Sequence, residues 1–367
     1  VKYGLRKSIS NLYTSGYAKE DSLPEDISNF IDCSSGINPF GFSSKVEAAL
    51  QSIPSEAVNL YPESSARLKE ALTIYWQDII GLKDSNILLG SGSIDIIYKI
   101  NKLFISNRSK VLGYSPQFSD YIDDIKSYGG IYEYNLMTME NNFKFMPEPF
   151  LEKVNKHHKL IYIDNPNNPT GQVIPLAFIE EVVKKAHRFG VCVVIDEAYG
   201  DFMDNSNSAI VLLKKYNNIF IVRTFSKGLG LAGVRGGYLV TSDIFADYYN
   251  KVSNPYVMNG IANYLAVIAL KDIQFIDESR EKVKIAKTKL IESLQKFTVL
   301  ETDSGVPIMT IKHPDPAVDL VGLLKEHNIL AISGEGFIGL DKSFSRLRIP
   351  SDIDMLVNAF ANIQNTI

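Results

Sequence analysis

Seven short apolar runs, spaced between residues 86 and 241, constrain this chain more than any other feature. Strands are predicted near 86–89, 110–113, 131–135, 159–164, 191–195, 218–222 and 237–241. The run Val191-Cys192-Val193-Val194-Ile195 has no polar residue at all, as a strand covered on both faces requires. Helical patterns fill the intervals. Alternating strand and helix predicts an α/β fold, a three-layer α/β/α unit around a mainly parallel seven-stranded sheet.

Three of these runs end in chemistry. Lys159 to Asp164 leads into Asn165-Pro166-Asn167-Asn168-Pro169-Thr170-Gly171. The run ending at Ile195 leads into Asp196-Glu197-Ala198-Tyr199, and Asn218 to Val222 leads into the segment Arg223 to Arg235. Open α/β sheets bind ligands at the carboxyl ends of their strands. In the third segment Lys227 follows Thr224 and Ser226, precedes glycines, and is followed by Arg235. A lysine amine forms a Schiff base with an aldehyde. Hydroxyls and a guanidinium supply charge-assisted bonds to a phosphate. Pyridoxal 5'-phosphate carries both an aldehyde and a phosphate. Asp196 suits its pyridine nitrogen, because a carboxylate keeps that nitrogen protonated. Tyr199 and Asn168 can both bond its phenolic oxygen.

With these residues in this order, the chain resembles the fold-type I pyridoxal-phosphate enzymes of the aminotransferase class I/II group. The resemblance extends to Gly90-Ser91-Gly92-Ser93-Ile94-Asp95, where it implies phosphate contacts from Ser93 and the Ile94 backbone. It extends to Tyr114-Ser115-Pro116-Gln117-Phe118, where Phe118, or Tyr121 in its place, would stack on the ring. Ile37-Asn38-Pro39 and Leu60-Tyr61-Pro62-Glu63 look like segments of histidinol-phosphate aminotransferases and threonine-phosphate decarboxylases. That likeness implies substrate contact from Asn38. It also implies a homodimer in which Tyr61 reaches the partner's cofactor phosphate. Phe344-Ser345-Arg346-Leu347-Arg348 looks like the strand with the substrate-carboxylate arginine. Arg346 and Arg348 share a strand face, and the family pattern favours Arg346. One departure stands out: Ile332 or Ser333 falls where those two groups carry an arginine for a phosphorylated substrate. An unphosphorylated substrate is therefore expected.

The implied activity is an aminotransferase that passes an amino group from an amino acid to a keto acid. Lys227 would bond the cofactor and then carry the α-proton; Asp196 and Tyr199 would complete the catalytic set. A threonine-phosphate type of decarboxylase, or a lyase or cyclase, uses the same machinery and stays open. Asn38 and the Phe337-Ile338-Gly339-Leu340 wording lean toward the decarboxylase.

At 367 residues the chain exceeds what one hydrophobic core usually holds. We expect residues 44–255 to form the cofactor-binding unit and 256–297 to form linking helices. Residues 298–367, joined by 1–43, would form a smaller α+β unit. Ser44 and Glu47 form a possible capping box. A net charge of −4 gives no sign of a nucleic-acid partner. No membrane span, secretory leader or metal-ligand spacing is read, and two cysteines make no disulfide framework, so a cytoplasmic enzyme is expected. His157-His158, set among lysines, reads as solvent-facing.

Overall fold

The computed structural model describes residues 4–10, 12, 29–62 and 65–367. Its strands are β1 (Ile31–Asp32), β2 (Ile87–Gly90), β3 (Lys110–Ser115), β4 (Ile131–Leu136), β5 (His158–Asp164), β6 (Cys192–Asp196), β7 (Ile219–Thr224), β8 (Gly237–Thr241), β9 (Thr298–Val299), β10 (Ile308–Lys312), β11 (Ile329–Leu330), β12 (Ile332–Ser333) and β13 (Phe344–Arg348). β2 to β8 form one seven-stranded sheet in the order β2-β8-β7-β6-β5-β3-β4. β3 to β7 pair in parallel, and β8 runs antiparallel to both of its neighbours.

Alternate residues along each strand enter two different cores. Val193 and Ile195 join one, with Ile179, Val182 and Val183 from the helix Leu176–Arg188. Cys192 and Val194 join the other, with Ile96, Ile97 and Ile100 from the helix Ser93–Phe104. Both faces are covered, which explains the missing polar residue in this run. The helix before β6 stops where its sequence says it should. Gly190 takes φ +68, Val191 N–H bonds Ala186 O, and Gly190 N–H bonds His187 O. That double closure needs a left-handed residue, which glycine adopts without strain.

A second sheet, β12-β13-β10-β9, is antiparallel throughout, and β1 pairs with β11 in parallel. β11 and β12 are separated only by Ala331, yet β11 takes β1 as partner and β12 takes β13. Within residues 256–297 the chain forms a 21-residue charged helix, Ile273–Ser293. Its apolar side enters a third core with Met309, Leu347 and Phe360.

Two local readings need correction. The helix Ser44–Leu50 is capped by Ser43, whose hydroxyl accepts from Val46 N–H; Ser44 is already its first helical residue. His158 is buried and bonds Glu133 at 3.0 Å, while His157 is exposed. His158 opens β5, and strand alternation turns its ring inward despite the lysines around it. Among the described residues no helix is long and apolar enough to cross a membrane.

Candidate active site

The sheet register brings the motif residues to one edge. Asp164 and Asp196, the last residues of β5 and β6, are register partners. Thr224, ending β7, pairs with Gly237, and Gly237 also pairs with Gly90 at the end of β2. With the segment after β3, five separate sequence segments open onto one cavity of about 360 Å³. Ser93, Ile94, Phe118, Asn168, Asp196 and Tyr199 line it, as do Thr224, Ser226, Lys227 and Arg235.

One pole of the cavity is built for an anion. Gly92, at φ +84, caps the helix Ser93–Phe104, so the N–H groups of its first turn point outward. A Cβ on Gly92 would lie 2.8 Å from Arg235 Nη2, so only glycine lets the guanidinium close on the helix start. Arg235 itself adopts φ +55 and is anchored by a 3.0 Å bond from Nη1 to Ala232 O. Across from it, the Thr224 hydroxyl donates to Ser226 Oγ at 2.9 Å and accepts from Ser226 N–H at 3.1 Å. Helix N-terminus, two hydroxyls and a guanidinium together match a phosphate monoester.

The opposite pole is acidic and buried. Burial, with Asp164 beside it, pushes the Asp196 carboxyl up to about 7, although Ala198 N–H donates to it at 2.9 Å. A carboxylate held this way favours a cation beside it. Between the poles, Lys227 Nζ faces the ring of Tyr199, 5.5 Å from its centroid. Burial and the charges of Arg346 and Arg235 bring the Lys227 amine down to about 8. Near neutral pH the neutral amine is still the minor form, but far more abundant than at the ordinary value of 10.5, and it is the form that bonds an aldehyde. Phe118 borders the cavity. Tyr121 does not; it is buried and stacks on Tyr162 at 4.2 Å.

The substrate-side residues divide. Arg346 is buried and donates to Ser34 O. A Cβ on Gly36 would meet both the Tyr199 hydroxyl and Arg346 Nη1, so these two groups approach each other across that glycine. Arg348 is held by the Asp32 carboxylate at 3.2 Å. Asn38, expected to face the substrate, does not line the cavity. Its amide donates to Gly228 O at 2.9 Å and Ser279 Oγ at 3.1 Å, bracing the lysine loop from behind. Tyr61 is 76% exposed and stacks on Tyr256 at 4.8 Å, outside its own chain's cavity. Glu63, beside it in the motif, lies outside the described residues. Cys33 is core, its thiol pushed up to about 12 by burial. The sequence reading passed over Asp164 and Asp120, which also line the cavity. Asp164 had a signal: a carboxylate in the same terminal position of its strand as Asp196.

These residues fit pyridoxal phosphate at both ends: an anion cradle at one, a carboxylate that favours a cation at the other, and an amine between. Among the described residues no group of three or more His, Cys, Asp or Glu could hold a metal ion.

The comparisons with known proteins agree. The model of the family "Aminotransferase class I and II" matches residues 28–360. A histidinol-phosphate aminotransferase of Methanosphaera stadtmanae is 30% identical over 337 residues, 90% of this chain and 89% of that one. The solved histidinol-phosphate aminotransferase of Clostridium acetobutylicum superposes with a TM-score of 0.83 at 26% identity, covering 92% of this chain and all of that one. That of Sinorhizobium meliloti, solved with pyridoxal-5'-phosphate, gives 0.86 at 21% identity over 100% of this chain and 99% of that one. The chain belongs to the aminotransferase class I and II family and is a pyridoxal-phosphate-dependent aminotransferase.

Proposed function

We propose that the enzyme moves the amino group of an unphosphorylated amino acid to a keto acid, with Lys227 as covalent anchor and proton carrier. The observation that carries this is the lysine itself: a depressed amine between an anion cradle and a buried carboxylate. When bound, pyridoxal phosphate supplies an aldehyde carbon and a ring that accepts the electron pair released at the substrate's α-carbon. Ser93, Ile94, Thr224, Ser226 and Arg235 hold its phosphate. Asp196 would keep its ring nitrogen protonated, Phe118 would pack against the ring, and Asn168 and Tyr199 would bond its phenolic oxygen. With substrate bound, Lys227 would take the α-proton at Nζ and return it. The Tyr199 ring, 5.5 Å from Nζ at its centroid, would orient the amine.

Arg346 receives the substrate's carboxylate in this reading. Its neighbour across the strand pair is Ile332, and Arg348 is committed to Asp32. The position therefore offers no second free cation from those two residues, as a dianionic phosphate would require. The names of the relatives favour another substrate, histidinol phosphate. Half-reactions decide between them: the loaded enzyme is mixed with an amino-acid panel and with histidinol phosphate, and conversion of the cofactor absorbance is followed. Conversion by plain amino acids is expected. Efficient conversion by histidinol phosphate, with amino acids inert, selects the other substrate. Release of CO2 instead of the pyridoxamine form would point to decarboxylation.

The working unit in this proposal is a homodimer with Tyr61 completing the partner's phosphate site. Its exposure supports this, because a tyrosine beside exposed Leu60 and Val58 leaves apolar surface to be covered. Sedimentation at micromolar concentration tests it, and a monomer would refute it.

A further inference from the structure

We infer that Asp164 is a second, positioning carboxylate of the cofactor site, fixing the ring-facing groups and sharing the ring nitrogen's field with Asp196. The inference rests on the cofactor placement proposed above. Asp164 is buried, and both of its oxygens are engaged by named donors. Oδ1 accepts from Tyr114 Oη at 2.6 Å, Gln117 Nε2 at 2.8 Å and Asn167 Nδ2 at 3.2 Å. Oδ2 accepts from Asn168 N–H at 3.0 Å, Asn167 Nδ2 at 3.3 Å and Phe118 N–H at 3.4 Å.

Two of these donors decide the role. Phe118 and Asn168 are the residues assigned to the ring face and the phenolic oxygen. They come from loops 50 residues apart in sequence, after β3 and after β5. One carboxylate oxygen takes the backbone N–H of both, so it sets the gap between them. An ionised carboxylate accepts at every lone pair. An asparagine would turn an NH2 group toward one set of N–H donors, and the two loops would part.

The charge has a second effect. Asp164 ends its strand beside Asp196 in register. Two adjacent buried carboxylates repel, and a cation placed at them relieves both. Burial raises the Asp164 carboxyl, while Tyr114, Asn168, Gln117 and Asn167 pull it back. A protonated ring nitrogen at Asp196 would settle the pair as two anions. Both charges then favour the protonated form of the lysine–cofactor imine.

The test uses Asp164→Asn and Asp164→Ser in the full chain, alongside wild type. Two readouts are taken: the dissociation constant of pyridoxal phosphate, and the pH midpoint of the visible cofactor band. We expect dissociation constants raised about 10-fold or more, as for a lost charge-assisted contact. We also expect the midpoint to fall, because removing a negative charge destabilises the protonated imine. A role in folding alone would leave the midpoint of the loaded protein unmoved. A folded neutral variant with wild-type affinity and midpoint overturns the inference. Failure of both neutral variants to fold also overturns it, since the carboxylate would then serve the fold. Wild type lacking any Lys227-dependent visible band would instead remove the underlying placement.

Discussion

Lys227 and Lys287 are both stripped of basicity by burial, yet their surroundings are opposite. Lys287, on the helix Ile273–Ser293, lies fully inside and is brought down to about 7. Its Nζ lies within hydrogen-bond reach of four oxygens, Thr302 Oγ1 and Asp303 O at 2.6 Å, Ile308 O at 2.8 Å and Val306 O at 2.9 Å, which its three N–H groups share. Lys227 faces a cavity and the ring of Tyr199. A depressed amine thus marks two different things. Wrapped in carbonyls it closes a loop; facing a cavity it is a nucleophile. The two regions also meet. The loop clamped by Lys287 and the strand β10 that follows it hold the Asn165–Gly171 turn, through Asp303 N–H to Gly171 O and Thr310 Oγ1 to Pro169 O respectively. Lys287 therefore supports, from behind, the turn that presents Asn168.

The largest contrast comes from replacing each lysine. Lys227→Ala should lower turnover on the order of 10³-fold or more, since it removes both the covalent anchor and the proton carrier. Its cofactor-free form should unfold in urea no earlier than wild type, because a half-desolvated cation is gone. Lys287→Met should do the reverse. Carbonyls left without a donor cost about 3 kcal/mol of stability, with turnover per folded molecule near wild type. If Lys287→Met lost turnover at unchanged stability, the division between the two regions would fail.

Asp196→Asn should reduce turnover by roughly 100-fold in a loaded sample, a size typical of a lost electrostatic group in a site. The phosphate cradle is intact, so cofactor content should hold. The same variant has a pH signature without cofactor. The folded Asp196 carboxyl lies at about 7, against an ordinary value of 3.8. The native state binds the extra proton between those values, so the stability Asp196 contributes is full below about 4 and lost as pH rises to about 7. In cofactor-free protein, the urea midpoint of Asp196→Asn minus that of wild type should grow over this window and then level. A flat difference would mean that Asp196 is ordinary in the folded state.

The two arginines repeat the contrast on one strand. Arg346→Ala should weaken amino-acid binding by roughly 10- to 150-fold, the equivalent of about 1.5–3 kcal/mol for a charge-assisted bidentate contact. Arg348→Ala should leave substrate binding nearly unchanged and lower stability, because it strips Asp32 of its partner. Steady-state KM and urea unfolding of both variants separate the outcomes. A larger KM defect in Arg348→Ala would exchange their roles.

Much of the cofactor region was legible because its information is local. All seven strands of the main sheet appear within about two residues of the predicted runs, since apolar strand patterning and strand-end polarity are short-range signals. Asp196, Lys227 and Arg235 follow from strand ends plus chemistry. What the sequence hid depends on distant partners. Asn38 looks like a free loop amide until Gly228, 190 residues on, is brought against it. His158 looks solvated until Glu133, two strands away on β4, receives it across β3. Asp164 ends its strand as Asp196 does, but its role stays hidden until two loops deliver their N–H groups to it. Lys287 sits in a charged helix with nothing local to mark it as the buried one.

Tyr61 is the smallest expected effect and the one that extends the comparison beyond a single chain. In one subunit its hydroxyl serves no cofactor, because the ring lies outside the cavity against Tyr256. If it bonds the neighbour's phosphate, Tyr61→Phe removes one hydrogen bond, worth about 1 kcal/mol, and keeps the apolar ring that covers the interface. Cofactor affinity should fall about 5-fold, with sedimentation unchanged. Mixing Lys227→Ala with Tyr61→Ala chains should then restore part of the activity. One kind of hybrid site draws its lysine and its tyrosine from the intact positions of the two chains. Complementation absent in a mixture shown to contain hybrid dimers would return Tyr61 to a surface role, with the phosphate held by one chain alone.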